Sequence, residues 1–139
     1  DLGKYERACE YETRFDISHW RVFMAFDGEK PVGGATFAAR TPGVDMLEGR
    51  DDLCVLWDIR VEEGYRGQGI GQALWDRGET WAKSLGMAQM KIECQNNNVR
   101  ACRFYHKQGA ELCKIDEYAY AGDDEVAAET QLFWYKSLA

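Results

Sequence analysis

Nine residues, Leu53 to Val61 (LCVLWDIRV), form an almost unbroken apolar run, and a glycine-rich segment follows it at once. Consecutive apolar side chains leave a strand no polar face, so it has to be covered on both sides, which places it in the centre of a sheet. After Glu62-Glu63-Gly64-Tyr65 comes Arg66-Gly67-Gln68-Gly69-Ile70-Gly71. Helical spacing then takes over: Ile70, Leu74, Trp81 and Leu85 share one face of a helix expected from about Gly69 to Leu85, with Gly86 placed to end it. Glycines let several backbone N–H groups converge on one spot, and the helix start adds its dipole. The unit is therefore a candidate cradle for a pyrophosphate, although a tight glycine turn holding nothing reads the same way. Two familiar phosphate loops do not fit. A P-loop needs Gly-Lys-Ser/Thr where Gln72 and Ala73 stand, and the dinucleotide pattern GxGxxG needs glycine at position 72.

The rest of the chain alternates strands and helices. Tyr5 to Ile17 reads as a short helix or two. Arg21 to Phe26 reads as a strand turning at Asp27-Gly28 into a return strand from Pro31 to Arg40, with Gly33-Gly34 a candidate bulge. Thr41 to Asp52 reads as a loop, Met90 to Gln95 as a strand, and Val99 to Gln108 as a helix capped by Asn98. Strands over Glu111–Tyr120 and Gln131–Tyr135 flank an acidic loop. This order predicts an α/β fold, a mixed sheet with a parallel pair in its middle.

At 139 residues and 45% hydrophobic, the chain suits a single domain spanning 1–139. It opens at Asp1 rather than Met, which suggests a trimmed N-terminus and leaves any upstream address signal unread. A formal charge of −7 argues against a nucleic-acid partner, which needs a basic face, and suits a cationic small molecule. No apolar run has membrane-spanning length. The five cysteines (9, 54, 94, 102 and 113) include no CxxC pair and, with only His19 and His106 to join them, no metal-ligand spacing. Reduced thiols, a cytoplasmic location and no metal are the expectation.

The glycine segment resembles the Arg/Gln-x-x-Gly-x-Gly/Ala motif of the GNAT superfamily, the GCN5-related N-acetyltransferases. Downstream, Asn98-Val-Arg-Ala101-Cys-Arg-Phe104-Tyr105-His-Lys-Gln-Gly109-Ala110 resembles the family's second signature, departing from it at Ala110, where an aromatic residue is usual. The phrases LWDIRV, KIECQNNNVRACRFYHKQGAEL and EYAY are similar to bacterial streptothricin acetyltransferases, which acetylate the β-lysine amine of that antibiotic.

The resemblance implies a GNAT fold: a twisted, mostly antiparallel sheet with a central splayed parallel pair, flanked by helices on both faces. It implies acetyl-coenzyme A as cosubstrate, lying between the splayed strands Leu53–Val61 and Met90–Gln95. The backbone of Ile59, Arg60 and Val61 would pair with the pantetheine arm as an added strand does. Arg66, Gly67, Gln68, Gly69, Ile70 and Gly71 would hold the pyrophosphate, with Asn98 and Ala101 on the other side. Tyr105 matches the family's general acid for the departing thiolate. An alkyl ammonium titrates near about 10.4, so the acceptor must first lose a proton. Asp58 and Glu93 are the candidates to take it or to anchor the ammonium, and a salt bridge from Asp58 to Arg60 or Lys91 is the plainer alternative. Trp57, Tyr118 and Tyr120 join Asp58 and Glu93 as candidate acceptor contacts. The expected acceptor is a primary amine of a small cationic molecule, streptothricin or another aminated antibiotic. A protein lysine or N-terminal amine, and a coenzyme A binder without catalysis, are the alternatives. By analogy with relatives, the C-terminal strands are a candidate homodimer surface.

Overall fold

A computed structural model describes residues 15–117 and 130–139 of the chain. The strands are β1 (Arg21–Asp27), β2 (Lys30–Ala39), β3 (Leu53–Val61), β4 (Gln89–Gln95), β5 (Glu111–Asp116) and β6 (Gln131–Ser137). They make one sheet in the order β1-β2-β3-β4-β6-β5. β3 and β4 run parallel, and every other neighbouring pair is antiparallel. Two helices are described, α1 (Ile70–Ser84) after β3 and α2 (Val99–Lys107) after β4. The mixed sheet with a parallel centre therefore stands as expected.

β3 is covered on both sides where the apolar run is purest: Leu53, Cys54, Val55 and Leu56 are all buried. Cys54 and Leu56 join Phe37, Met90, Ile92 and Trp134 in the main core, under Leu74 and Trp75 of α1 and Tyr105 of α2. Val55 points the other way, into a second cluster with Ala38, Val44 and Leu47, against which Phe15, Trp20 and Trp57 pack. Both described helices thus lie on one face. The helix expected over 5–17 falls almost wholly outside the described residues.

Several expectations need correcting. Ile70, Leu74 and Trp81 of α1 do face the core, joined there by buried Trp75, Gly78 and Ala82, but Leu85 lies beyond the helix end and is exposed. Gly33 and Gly34 pair regularly with Val61 and Arg60 on the β3 side, while on the β1 side the register shifts between Ala25 and Phe26, so the irregularity falls at Val32, beside Gly33 rather than on the glycine pair. Their small size leaves room instead, since a Cβ on Gly33 would stand 3.1 Å from both the Arg60 carbonyl and Ile70 Cγ2. The loop after β2 contains a 3₁₀ turn, Asp45–Leu47, that buries Leu47. The described part of β5 ends at Asp116. β6 is an interior strand, paired with β4 on one side and β5 on the other.

The sheet opens in its middle. β3 and β4 pair only from Leu53/Gln89 to Leu56/Ile92, yet both strands continue, β3 to Val61 and β4 to Gln95. β2 holds β3 as far as Val61, and β6 holds β4 as far as Gln95. At the point of parting the β2–β3 register slips: Thr36 faces Asp58 and Phe37 faces Leu56, leaving Trp57 as an extra residue. A bulge sharpens local twist. Here it turns β3 away from β4 where pairing stops, and a V-shaped gap results.

Candidate active site

A cleft of about 1000 Å³ lies beside the splayed end of β3 and continues across the start of α1. One wall is Ile59, Arg60 and Val61 of β3. The far wall is Asn98, Arg100, Ala101, Phe104, Tyr105 and Lys107, from α2 and its cap. Between them runs the glycine loop, with Arg66, Gly67, Gly69, Ile70 and Gly71 all lining the cleft. Of the residues expected to hold the cosubstrate, Gln68 is the one that does not line it.

The loop takes its shape from two glycines. Gly67 and Gly69 have φ of 80° and 84°, a left-handed conformation that costs other residues about 1 kcal/mol or more. Gly71 has no such φ, and a Cβ there would make only ordinary contacts at 3.8 Å and beyond. The loop is also pinned from outside. The Arg66 Nε–H donates to the Val61 carbonyl at 3.3 Å, and the Tyr65 hydroxyl donates to Asp27 Oδ2 at 2.7 Å. Gln72 and Gln108 exchange amide hydrogen bonds of 2.8 and 2.7 Å, fastening the first turn of α1 to the end of α2.

Asn98 accepts from the Ala101 backbone N–H at 3.1 Å, so its Oδ1 caps α2 while the residue also lines the cleft. Seven residues on, Tyr105 is buried at 7% exposure. Its ring is wedged between Trp75, Phe104 and Trp134, with centroids 6.2, 5.8 and 6.5 Å away. Burial pushes its phenol well above the usual tyrosine range, and the neighbouring Cys94, Asp58 and Glu93 push it further. A phenol held neutral in a cleft is a proton donor. Behind it, Cys94 of β4 and Cys102 of α2 touch at 3.7 Å between sulfurs, and burial raises the Cys94 thiol to about 12.

Asp58 and Glu93 belong to the other face of the sheet. Met90, Ile92 and Cys94 of β4 point into the core beneath the helices, so Glu93 between them points away. Beyond the bulge, Ile59 and Val61 pack toward the helices, which leaves Asp58 and Arg60 opposite. Both carboxylate oxygens of Asp58 lie 2.8–2.9 Å from Arg60 Nε. Lys91, the other partner considered for Asp58, is buried and pairs with Glu48 Oε2 at 3.0 Å, an oxygen that also accepts from the Tyr135 hydroxyl at 2.6 Å. Trp57 sits in an aromatic cluster, 5.2 Å from Trp20 and 5.6 Å from Phe15 between centroids. Neither Trp57, Asp58 nor Glu93 lines the cleft itself. Tyr118 and Tyr120 lie outside the described residues. The gap between β3 and β4 is thus where a neutral phenol from the helix side meets the electrostatic influence of two carboxylates from the other.

Arg60, Arg66, Arg100 and Lys107 line the cleft, and among the described residues no carboxylate does, in a chain with 24 acidic and 17 basic residues. A backbone cradle, a helix start and the three cations Arg66, Arg100 and Lys107 suit a polyphosphate with a slender arm, Arg60 being paired with Asp58 on the other face. Sequence reading missed Tyr65, Gln72, Phe104, Arg100 and Lys107 as lining residues. For the last two a signal existed: they are seven apart on the helix that carries Tyr105, and so share its cleft-facing side.

Comparison with known proteins agrees with this geometry. Residues 2–110 match the acetyltransferase (GNAT) family. The streptothricin acetyltransferase of Escherichia coli is 35% identical over 140 residues, covering 97% of this chain and 80% of that protein. Streptothricin acetyltransferase A of Bacillus subtilis strain 168 is 35% identical over 78 residues, covering 56% of this chain and 44% of that one. Among solved structures, a Bacillus anthracis str. Ames protein described as a streptothricin acetyltransferase, in complex with acetyl coenzyme A, superposes with a TM-score of 0.72 at 28% identity. That match covers 84% of this chain and 61% of the other, so the chain spans about three fifths of that relative's length.

Proposed function

The chain belongs to the GNAT acetyltransferase family, and on that premise we propose that it acetylates a primary amine of a small cationic molecule, of which streptothricin is the first candidate. It is an acetyl-CoA-dependent N-acetyltransferase. The cosubstrate supplies an acyl group on a good leaving thiolate, and the chain's own residues bind, orient and manage protons. The N–H groups of the Arg66–Gly71 loop and the α1 start hold the pyrophosphate. The free backbone edge of Ile59, Arg60 and Val61 takes the pantetheine arm, opposite Asn98 and Ala101. Tyr105 gives its proton to the leaving sulfur, a role suited to a phenol that burial keeps neutral.

The amine arrives from the opposite face. Glu93 receives its proton, directly or through water, with Asp58, whose two oxygens Arg60 holds, as the alternative. The Asp58–Arg60 pair and Trp57 then form the side of the acceptor site, where an acidic, aromatic lining draws in a cation. The observation that carries this reading is the convergence at the splay: Tyr105 from the helix side, two carboxylates from the other, and a donor cleft that no described carboxylate lines. Streptothricin as acceptor rests on the likeness to the E. coli and B. subtilis proteins. Cytoplasmic action on a small molecule, by a single domain, is part of the same proposal.

The test is an acetyl-transfer screen read by release of free thiol, offering streptothricin, aminoglycosides, polyamines and lysine peptides. Turnover of streptothricin well above the peptides is expected. A preference for lysine peptides would move the acceptor class to proteins and leave the reaction unchanged.

A further inference from the structure

We propose that Arg100 and Lys107 read the 3′-phosphate of the cosubstrate, so that the enzyme prefers acetyl-CoA to acetyl-dephospho-CoA. This deepens the acetyl-CoA reading and rests on it. The diphosphate is already served by the glycine loop and the start of α1, on one side of the cleft. Arg100 and Lys107 stand on the other side, on α2. Seven residues apart, they differ by only about 20° around the helix and by about 10 Å along it. A phosphomonoester beyond the diphosphate, carrying a charge of about −1.5 to −2, is the remaining anion of such a ligand.

Three features set these cations apart from ordinary surface charge. Both are exposed and, among the described residues, in no ion pair, whereas Arg60 is neutralised by Asp58. Among the described residues no carboxylate lines the cleft they face, although acidic residues outnumber basic ones in the chain. Lys107 at the end of α2 suits the helix dipole, but Arg100 stands in the first turn, where the dipole disfavours a cation and where α2 has no acidic residue. A charge kept against the local preference points to a ligand. Arg103, on the same helix and also exposed, does not line the cleft and is the internal control.

Titration calorimetry of the full chain with acetyl-CoA and with acetyl-dephospho-CoA tests this without knowledge of the acceptor. The parent should bind acetyl-CoA about tenfold more tightly, the scale of two exposed charge contacts to a dianion. In Arg100→Gln/Lys107→Gln that ratio should collapse to about one through weaker acetyl-CoA binding alone, and Arg103→Gln should keep it. Glutamine retains helix propensity, and an unchanged thermal melt will show that α2 has kept its place. Equal affinities in the parent, or a double variant that weakens both ligands alike, would overturn the proposal and spare the acetyl-CoA reading. Binding of neither thioester by the parent would remove both.

Discussion

Replacing Tyr105 with Phe removes one oxygen and leaves the packing in place. The ring is held by Trp75, Phe104 and Trp134 at 5.8–6.5 Å, and phenylalanine fills the same space, so the fold should lose less than about 1 kcal/mol. What is lost is a proton donor. General acids contribute about 10²–10⁴ in rate, or roughly 3–5 kcal/mol of barrier at 1.36 kcal/mol per decade. We therefore expect kcat to fall at least about a hundredfold while affinity for acetyl-CoA is kept. The structure adds a pH signature. Burial pushes the Tyr105 pKa upward, so the hydroxyl stays protonated through the neutral and mildly alkaline range. The ratio of variant to parent kcat should then be flat from about pH 6 to 9, because the donor never titrates there. Thiol release followed under saturating acetyl-CoA at several pH values measures both. A variant within threefold of the parent, or a deficit that disappears as pH rises, would show that the thiolate leaves without this proton.

Glu93→Gln should lower kcat by about a hundredfold, and Asp58→Asn by less than tenfold because that carboxylate is already bound to Arg60, so the reverse order in the same assay would make Asp58 the base. Gly78→Ala sets a helix gain of about 1 kcal/mol against a Cβ built 1.9 Å from Phe37 Cζ and 2.4 Å from its neighbours. Phe37 is fully buried and packed against Phe23 and Trp81, so the clash should win by about 2 kcal/mol and lower Tm by roughly 6–10 °C, partly restored by Phe37→Leu; a Tm at or above the parent's would contradict the packing. Stability should also fall at alkaline pH. Burial raises the Cys54 thiol from 9.0 to about 12, so above pH 9 the unfolded chain releases a proton that the folded one keeps, and stability drops by about 1.4 kcal/mol per pH unit until about pH 12. Between pH 8 and 10.5 that is about 2 kcal/mol by urea unfolding, and Cys54→Ala should lose that much less; parallel losses would assign the effect elsewhere.

Local patterns were legible in the sequence. β3 announced itself because a strand covered on both faces has to be apolar at successive positions. The glycine loop did so because left-handed turns at Gly67 and Gly69 need glycine, and Asn98 because capping is a contact over three residues. What stayed hidden depends on partners distant in the chain. The extra residue at Trp57 exists only relative to β2, and its neighbours in sequence carry no sign of it. Lys91 looked like a partner for Asp58, yet it is satisfied by Glu48, more than forty residues away, across a loop whose own path is set by Leu47. Nothing near Gly78 in sequence shows that Phe37, about forty residues earlier, occupies its missing side chain's place. Arg100 and Lys107 could be assigned to one helix side, but which side faces the cleft was decided by the packing of Tyr105 beneath Trp75. Tyr118 and Tyr120, expected at the acceptor site, lie outside the described residues.

The parting of β3 and β4 has a bearing on how this protein avoids its own kind. A sheet's exposed edge is a template for another polypeptide, and proteins commonly shield such edges. Here an edge lies in the middle of the sheet, along Trp57–Val61, where β3 has a neighbour on the β2 side only. A visiting strand would need about 4.8 Å to each neighbour, and the strands remain joined at Leu56 and Ile92. Near that vertex there is no width for a chain bearing side chains. On the proposed function the notch would admit a thin amide-bearing arm where a chain bearing side chains does not fit, and the hydrogen-bonding groups that would seed aggregation on an outer edge would serve the donor instead.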